Sequence, residues 1–315
     1  MKISKIKKNN SSEPFIIISL DGVSWYPVCD IFSNHGLTSV VDVLAFNLDK
    51  PGYISEHISS KTKSLLPIDL QSFEHVLPFQ PLSYRDFMLY EKHCIDASRG
   101  FVKKYLPHLL PVVNIYEKIF GKPFPKLKPR NRWYSYPIYY LGNHLTFITH
   151  GDQIKIPSYT QELDYELELG VILCKHLKNA SPEEAEKAIG GFVVFNDFSA
   201  RDVQIDEINS GFGPMKSKNF ANSISNVVVS ADEILPIVND LQVSVFINGE
   251  NIVKNNMKGM HYSLPEAIAY ASWEEQLHPG EFFGSGTVPG CTGIENNHFL
   301  ISGDSIRLEI KGMLC

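Results

Sequence analysis

The sequence predicts a strand-rich α+β chain with few helices, and three observations carry that expectation. Short apolar runs recur between Pro, Gly and Ser through the first eighty residues. The run DYELELGVILC, residues 164–174, sets Tyr165, Leu167 and Leu169 on one face and Glu166 and Glu168 on the other, as a sheet strand does. Helix-start signals are sparse by comparison, with two good ones in the second half.

In chain order, FIIISL followed by Asp21-Gly22 reads as a strand entering a turn, and the first eighty residues as a small β domain. The basic start, MKISKIKKNN, reads as a solvated tail. Tyr84 to about Tyr105 suits a helix, with Phe87, Tyr90, Cys94 and Phe101 near helical spacing and Gly100 weakening its last turn. The proline-rich, basic run FGKPFPKLKPRNRW reads as a loop or linker. Ser181-Pro-Glu-Glu184 is a capping box whose helix should stop at Gly190-Gly191, and Ser263-Leu-Pro-Glu266 opens a second helix that ends before Pro279-Gly280. LQVSVFING, with Asn248-Gly249, predicts a hairpin.

At 315 residues, 43% hydrophobic and 20% charged, the chain has apolar material for one large core with a smaller domain attached. Its net charge of -6 argues against a surface built for nucleic acid or anionic lipid, so a small-molecule partner is expected. Cys29, Cys94, Cys174, Cys291 and Cys315 are odd in number and scattered, which suits free thiols in a reducing compartment. FIIISL is too short for a signal core or a membrane span, so no membrane association and a cytoplasmic location are expected.

Chemistry concentrates in carboxylates. Residues two apart in a strand point the same way, so Glu166 and Glu168 can aim at one point, although a bare E-x-E also suits a polar strand face. Downstream, the apolar run in GGFVVFNDFSARDVQ ends abruptly in Asn196-Asp197, where Asp197 can add a third oxygen. An all-oxygen set suits Mg²⁺ or Ca²⁺, with Mn²⁺ possible, and the lack of Cys or His partners disfavours structural zinc.

DYELELGVI and GGFVVFNDFSARDVQ, at their observed interval, resemble the signature of the fumarylacetoacetate hydrolase family. FGPMKSKNFANS (212–223), PGEFFGSGTVPGCTGIE (279–295), SGDSIRLEIKG (302–312) and RDFMLYEKH (85–93) are similar to further segments in the family's order, covering most of residues 82–312. The resemblance implies a mixed β-roll catalytic domain over residues 81–315, a barrel-like β domain over 1–80, and a homodimer. It makes Glu166, Glu168 and Asp197 metal ligands with Asp86 as a fourth, and His93 a general base oriented by Glu295, with Asp96 competing for that task. It gives Lys218, Gln204 and Thr287 contacts to substrate or to developing negative charge, with Tyr140, Lys216 and Ser285 as further candidates. The implied activity is Mg²⁺-dependent C–C hydrolysis of a small 1,3-diketo acid in keto-acid catabolism. A decarboxylase or other lyase working through an enolate, and an inactive metal- or ligand-binding relative, are the alternatives. Departures bear on the substrate: Ile208 stands where enzymes of tyrosine breakdown carry a tyrosine, and Asn222 where a threonine is common.

Overall fold

The computed structural model describes residues 1–9, 13–33, 35–62 and 65–313. Seven strands place the site: β1 (Lys2–Lys8), β2 (Phe15–Ser19), β3 (Tyr84–Phe87), β4 (Leu167–Leu173), β5 (Ile189–Asp197), β6 (Val227–Ser230) and β7 (Phe282–Gly284). They belong to a sheet of 12 strands whose main path runs Tyr26–Pro27, β2, β1, β6, β5, β4, β7, β3 and Tyr139–Leu141. β7 and β3 run parallel, and the other neighbours along this path are antiparallel. Smaller sheets of two and three strands complete a mixed α+β architecture.

Every residue of β4 and β5 is buried, which explains their nearly continuous apolar runs. Leu169, Val171, Phe192, Val194 and Phe283 pack on one face. Ile172, Val193, Phe195 and Phe282 pack on the other, against Val40, Val43 and Leu44 from the helix Val40–Asp49. Glu166, Glu168, Asp86 and Asp197 share this second face by strand alternation.

The N-terminal segment departs from expectation. The basic start is a strand rather than a solvated tail, because Ile3 and Ile6 are buried and β1 pairs with β2 and β6. Its strands extend the large sheet, the segment adds the helices Val28–Ile31, Val40–Asp49 and Tyr53–Lys61, and no closed barrel forms among the described residues. The sheet and one core cluster thus cross the expected boundary near residue 80.

Four helices frame the site: α1 (Glu91–Tyr105), α2 (Leu110–Phe120), α3 (Arg201–Asn209) and α4 (Gly293–Asn296). The helix expected from Tyr84 starts at Glu91, since the four residues of β3 are wholly buried and three of them pair with β7. The run 122–132 holds a short turn, Pro125–Leu127, and the start of the helix Asn131–Ser135. Both capping boxes form, but the first helix spans only Pro182–Glu186 and the second ends at Ala271. Gly190-Gly191 lies inside β5 instead of stopping a helix: a Cβ on Gly190 would lie 2.1 Å from Cys174 Sγ, so that glycine serves close packing. The hairpin forms as expected, joining Gln242–Ile247 to Glu250–Asn256, with Asn248 and Gly249 both at positive φ. Cys29, Cys94, Cys174 and Cys291 are free thiols, and Cys315 lies outside the described residues. No helix among the described residues is long and apolar enough to cross a membrane.

Candidate metal centre and its cavity

Four adjacent strands bring the carboxylates together. Asp86 comes from β3, Glu168 from β4 and Asp197 from the end of β5; all three are buried, with ligand atoms within 4.8 Å of one another. Between the Asp86 and Glu168 strands runs β7, whose Gly284 pairs in register with both Asp86 and Gly170. A Cβ on Gly284 would lie 2.2 Å from Asp86 Oδ1 and 2.8 Å from Glu168 Oε2. The missing side chain is what makes room for the cluster.

Glu166 shares the strand face but stands in a different set of contacts. Its Oε2 accepts from Lys218 Nζ and its Oε1 from Arg201 Nη2. Lys218 also donates to Asp197 Oδ2, so its buried ammonium bridges two carboxylates. Arg201 donates through Nε to Asp164 Oδ2 at 2.6 Å and through Nη1 to Gln204 Oε1 at 2.7 Å. Asp164 in turn accepts from the backbone N–H groups of Gly293 and Ile294, at 2.6 and 3.0 Å, tying down the first turn of α4.

That anchoring matters because α4 carries Glu295, whose Oε1 lies 2.8 Å from His93 Nδ1. Glu295 also accepts from the backbone N–H of Gly290. Asp96 pairs with Lys92 instead, so Glu295 is the carboxylate that contacts His93. α1 and α4 approach closely at Gly100, where a Cβ would sit 2.2 Å from the Ile294 carbonyl oxygen. The glycine that weakens the helix in sequence terms therefore lets the histidine helix reach its partner.

The remaining candidates have defined neighbours. Tyr140 donates its hydroxyl to Asp197 Oδ2 at 2.8 Å, and the Thr287 hydroxyl faces Glu168 Oε1 at 3.4 Å. Ser285 accepts from the Leu169 backbone N–H and donates to the Gly286 carbonyl. Lys216 is exposed, its ammonium over the Tyr159 ring. Asp86, Glu166, Glu168, His93, Gln204, Lys218, Thr287 and Tyr140 all line one cavity of about 1420 Å³. Asp164, Arg201 and Gly284 were not singled out from sequence. Arg201 sits four residues after Asp197 and, three residues before Gln204, shares its helix face, which is the available signal.

Electrostatics divide the acids into two groups. Burial, then the charges of its neighbours Glu168 and Asp197, pushes Asp86 well above the usual carboxylate range. Burial followed by Asp197 and Glu166 does the same to Glu168. For Asp197 burial again outweighs the opposing Lys218 charge, and its affinity for a proton rises. Burial acts upward on Glu166 too, but Arg201 and then Lys218 hold it below the ordinary range. The triad is thus short of positive charge, and Asp86 Oδ1 is buried with no hydrogen-bond partner. An orphaned buried oxygen, a glycine-made gap and an all-oxygen donor set together fit a hard divalent cation.

A family model described as the C-terminal part of fumarylacetoacetate hydrolase matches residues 122–315. A Xenopus laevis protein named mitochondrial oxaloacetate tautomerase fahd2 is 30% identical over 261 residues, covering 77% of this chain and 79% of its own. A fumarylacetoacetate hydrolase from Exiguobacterium antarcticum superposes with a TM-score of 0.67 at 18% identity, over 99% of this chain and 96% of its own. A maleylpyruvate hydrolase from Sphingobium sp. SYK-6, solved with manganese(II) and pyruvate, gives 0.66 at 15% identity, over 99% and 95%. At these identities the two solved structures establish the fold.

Proposed function

The chain belongs to the fumarylacetoacetate hydrolase family, and from that premise we propose that it is a divalent-cation-dependent hydrolase cleaving a C–C bond in a small 1,3-diketo acid of the fumarylacetoacetate or acylpyruvate type. One observation carries this reading: two members of a buried oxygen triad, a buried lysine and a carboxylate-held histidine line a single cavity. Asp86, Glu168 and Asp197 would hold the ion, with Glu166 as the fourth carboxylate. Mg²⁺ is the ion proposed, and Mn²⁺ and Ca²⁺ suit the same donors. When bound, it supplies fixed positive charge for the oxygens of a keto acid.

The protein's own groups divide the remaining work. Glu295 accepts the Nδ1 proton of His93, which leaves Nε2 as the basic nitrogen. His93 takes a proton from water as the water oxygen bonds to the carbonyl carbon. The C–C bond then breaks, and its electron pair moves onto the departing α-carbon and its carbonyl as an enolate. Lys218 opposes that negative charge, and the proton held by His93 returns to the α-carbon. One water enters, and a carboxylic acid and a keto acid leave. Gln204, Thr287 and Tyr140 are proposed to position the substrate, Gln204 with its carbonyl oxygen engaged by Arg201 and its amide N–H groups left to donate.

A second reading draws support from the 30% identical relative named as an oxaloacetate tautomerase. The same base can move a proton at the α-carbon without adding water, and the keto form of a β-keto acid can lose CO₂, the electron pair of the broken C–C bond forming a related enolate. A panel of acylpyruvates, fumarylacetoacetate-like diketo acids and oxaloacetate, with Mg²⁺, Mn²⁺ or chelator, separates these outcomes. Two organic products mark hydrolysis, CO₂ marks decarboxylation, and an ultraviolet change without new products marks tautomerisation. No metal-dependent turnover on any of them would favour an inactive ligand-binding relative. The proposal extends to a homodimer acting in the cytoplasm, checked by light scattering and cell fractionation.

Two further results are expected. The metal-free triad retains protons because its carboxylates titrate high, so metal binding must release them. Apparent metal affinity then falls as pH falls, and calorimetry in buffers of different ionisation enthalpy should show net proton release. Zero release would refute this. Second, Gly100→Ala should push α1 from α4, cost about 1–3 kcal/mol of stability and lower kcat roughly 10-fold or more through misplacement of His93. An unaltered kcat would separate the helix contact from catalysis.

A further inference from the structure

The cavity is much larger than its polar end requires. Its volume of about 1420 Å³ exceeds the roughly 300–1,000 Å³ that houses ordinary small-molecule ligands. A keto acid of a few carbons, held by a cation on the carboxylates and by Lys218 and His93, would leave most of this space unfilled. Most of the rest of the wall is apolar: Phe101 comes from α1, Val113 from α2, and Ile205 and Ile208 from α3, and Phe124 and Ile138 also line it, while Lys126, Lys128, Arg130, Arg132, Asn209 and Asn219 add polar groups. The wall also reaches solvent, since Leu109, Val112 and Phe212 line the cavity while 40%, 57% and 86% exposed. Two cations of the rim have partners of their own: Lys128 pairs with Glu91 at 3.2 Å, and Arg132 donates to the Tyr270 hydroxyl and lies over the Tyr136 ring. The largely apolar stretch beyond the polar end is therefore suited to hydrocarbon, since apolar surface that enters it leaves water for an apolar wall.

We propose that the substrate is a keto acid bearing a long hydrocarbon tail, with its head at the carboxylate cluster and its tail in the trough between α1, α2 and α3. The assignment rests on the keto-acid reading of the head site and adds to it the substituent. The tail enters past Leu109, Val112 and Phe212, so the head group reaches Lys218 and His93 at the closed, polar end.

The test is the affinity of the Mn²⁺-loaded protein for straight-chain 2-keto acids, from pyruvate through 2-oxohexanoate to 2-oxododecanoate, measured by calorimetry. Each buried methylene is worth up to roughly fourfold in affinity, so binding should tighten by at least about 100-fold between the six- and twelve-carbon acids. A flat profile, or no binding by any of them, overturns the proposal. Ala97→Trp, on the α1 wall of the cavity, shortens the trough. It should move the best chain length downward, a readout taken within the variant and so independent of any loss of folded protein. An unshifted optimum in the folded variant would count against the trough as the tail site. Cleavage of acylpyruvates with the same acyl chains is scored in parallel. Chain-length-dependent binding without cleavage would refute the hydrolase reading and keep the tail site, whereas cleavage with a flat binding profile would do the reverse.

Discussion

Replacing His93 with alanine should lower turnover by about 10²–10⁴-fold while leaving metal affinity nearly unchanged. The imidazole is buried, lines the cavity and is 2.8 Å from Glu295 through Nδ1, but it is not among the carboxylates that gather around the cation position. Removing it takes away the base and leaves the donor set intact. Glu295→Gln should lower turnover less, since the amide oxygen can still accept from Nδ1 and keep the ring in place. Single-turnover rates with Mn²⁺ titrations on the same samples check both statements. Wild-type turnover in the His93 variant would remove this residue from the mechanism, and lost metal binding would reassign it to the metal site.

Gly284→Ala should abolish tight metal binding although it removes no charged group. The added methyl would lie 2.2 Å from Asp86 Oδ1 and 2.8 Å from Glu168 Oε2, and β7 cannot retreat because it is paired on both sides. The carboxylates must rotate away instead. A weakening of metal affinity at the upper end of the about 10–100-fold range for changes that disturb ligand orientation, or beyond it, is expected, with turnover falling in step. Calorimetry with Mn²⁺ on protein shown to be folded by circular dichroism is the check. Wild-type affinity would mean that the cation sits elsewhere in the cavity.

How far the sequence reveals this arrangement depends on the range of the interaction. Alternation within one strand places Glu166 and Glu168 on a common face, and the apolar run broken by Asn196-Asp197 marks the mouth of β5. Both are local signals. Their separate roles are not local: Glu168 joins Asp86 and Asp197 from other strands, while Glu166 is taken by Arg201 from α3 and by Lys218 from a turn. Asp86 is legible only through the resemblance of RDFMLYEKH, because its neighbours arrive from β4 and β7. Gly284 carries no side chain to read, and its meaning lies in the two oxygens that a methyl would strike. The N-terminal strand is obscured for a different reason. Its lysines dominate the composition, whereas its two buried isoleucines, Ile3 and Ile6, are visible as core only once β2 and β6 lie beside it.

The pairing of β1 also bears on how the molecule is assembled during synthesis. Lys2 lies opposite Val229 and Ile3 opposite Val228, so the first half of one edge of this strand waits for a partner made more than two hundred residues later. The parallel pairing of Tyr84–Phe87 with Phe282–Gly284 imposes a similar delay. Such distant contacts slow folding and leave strand edges open meanwhile. The newly made chain must therefore hold the Lys2–Ser4 part of that edge unpaired until Val227–Ser230 has left the ribosome, although Phe73–His75 can pair with Ile6–Lys8 earlier, and the cation site closes only after Gly284 has followed.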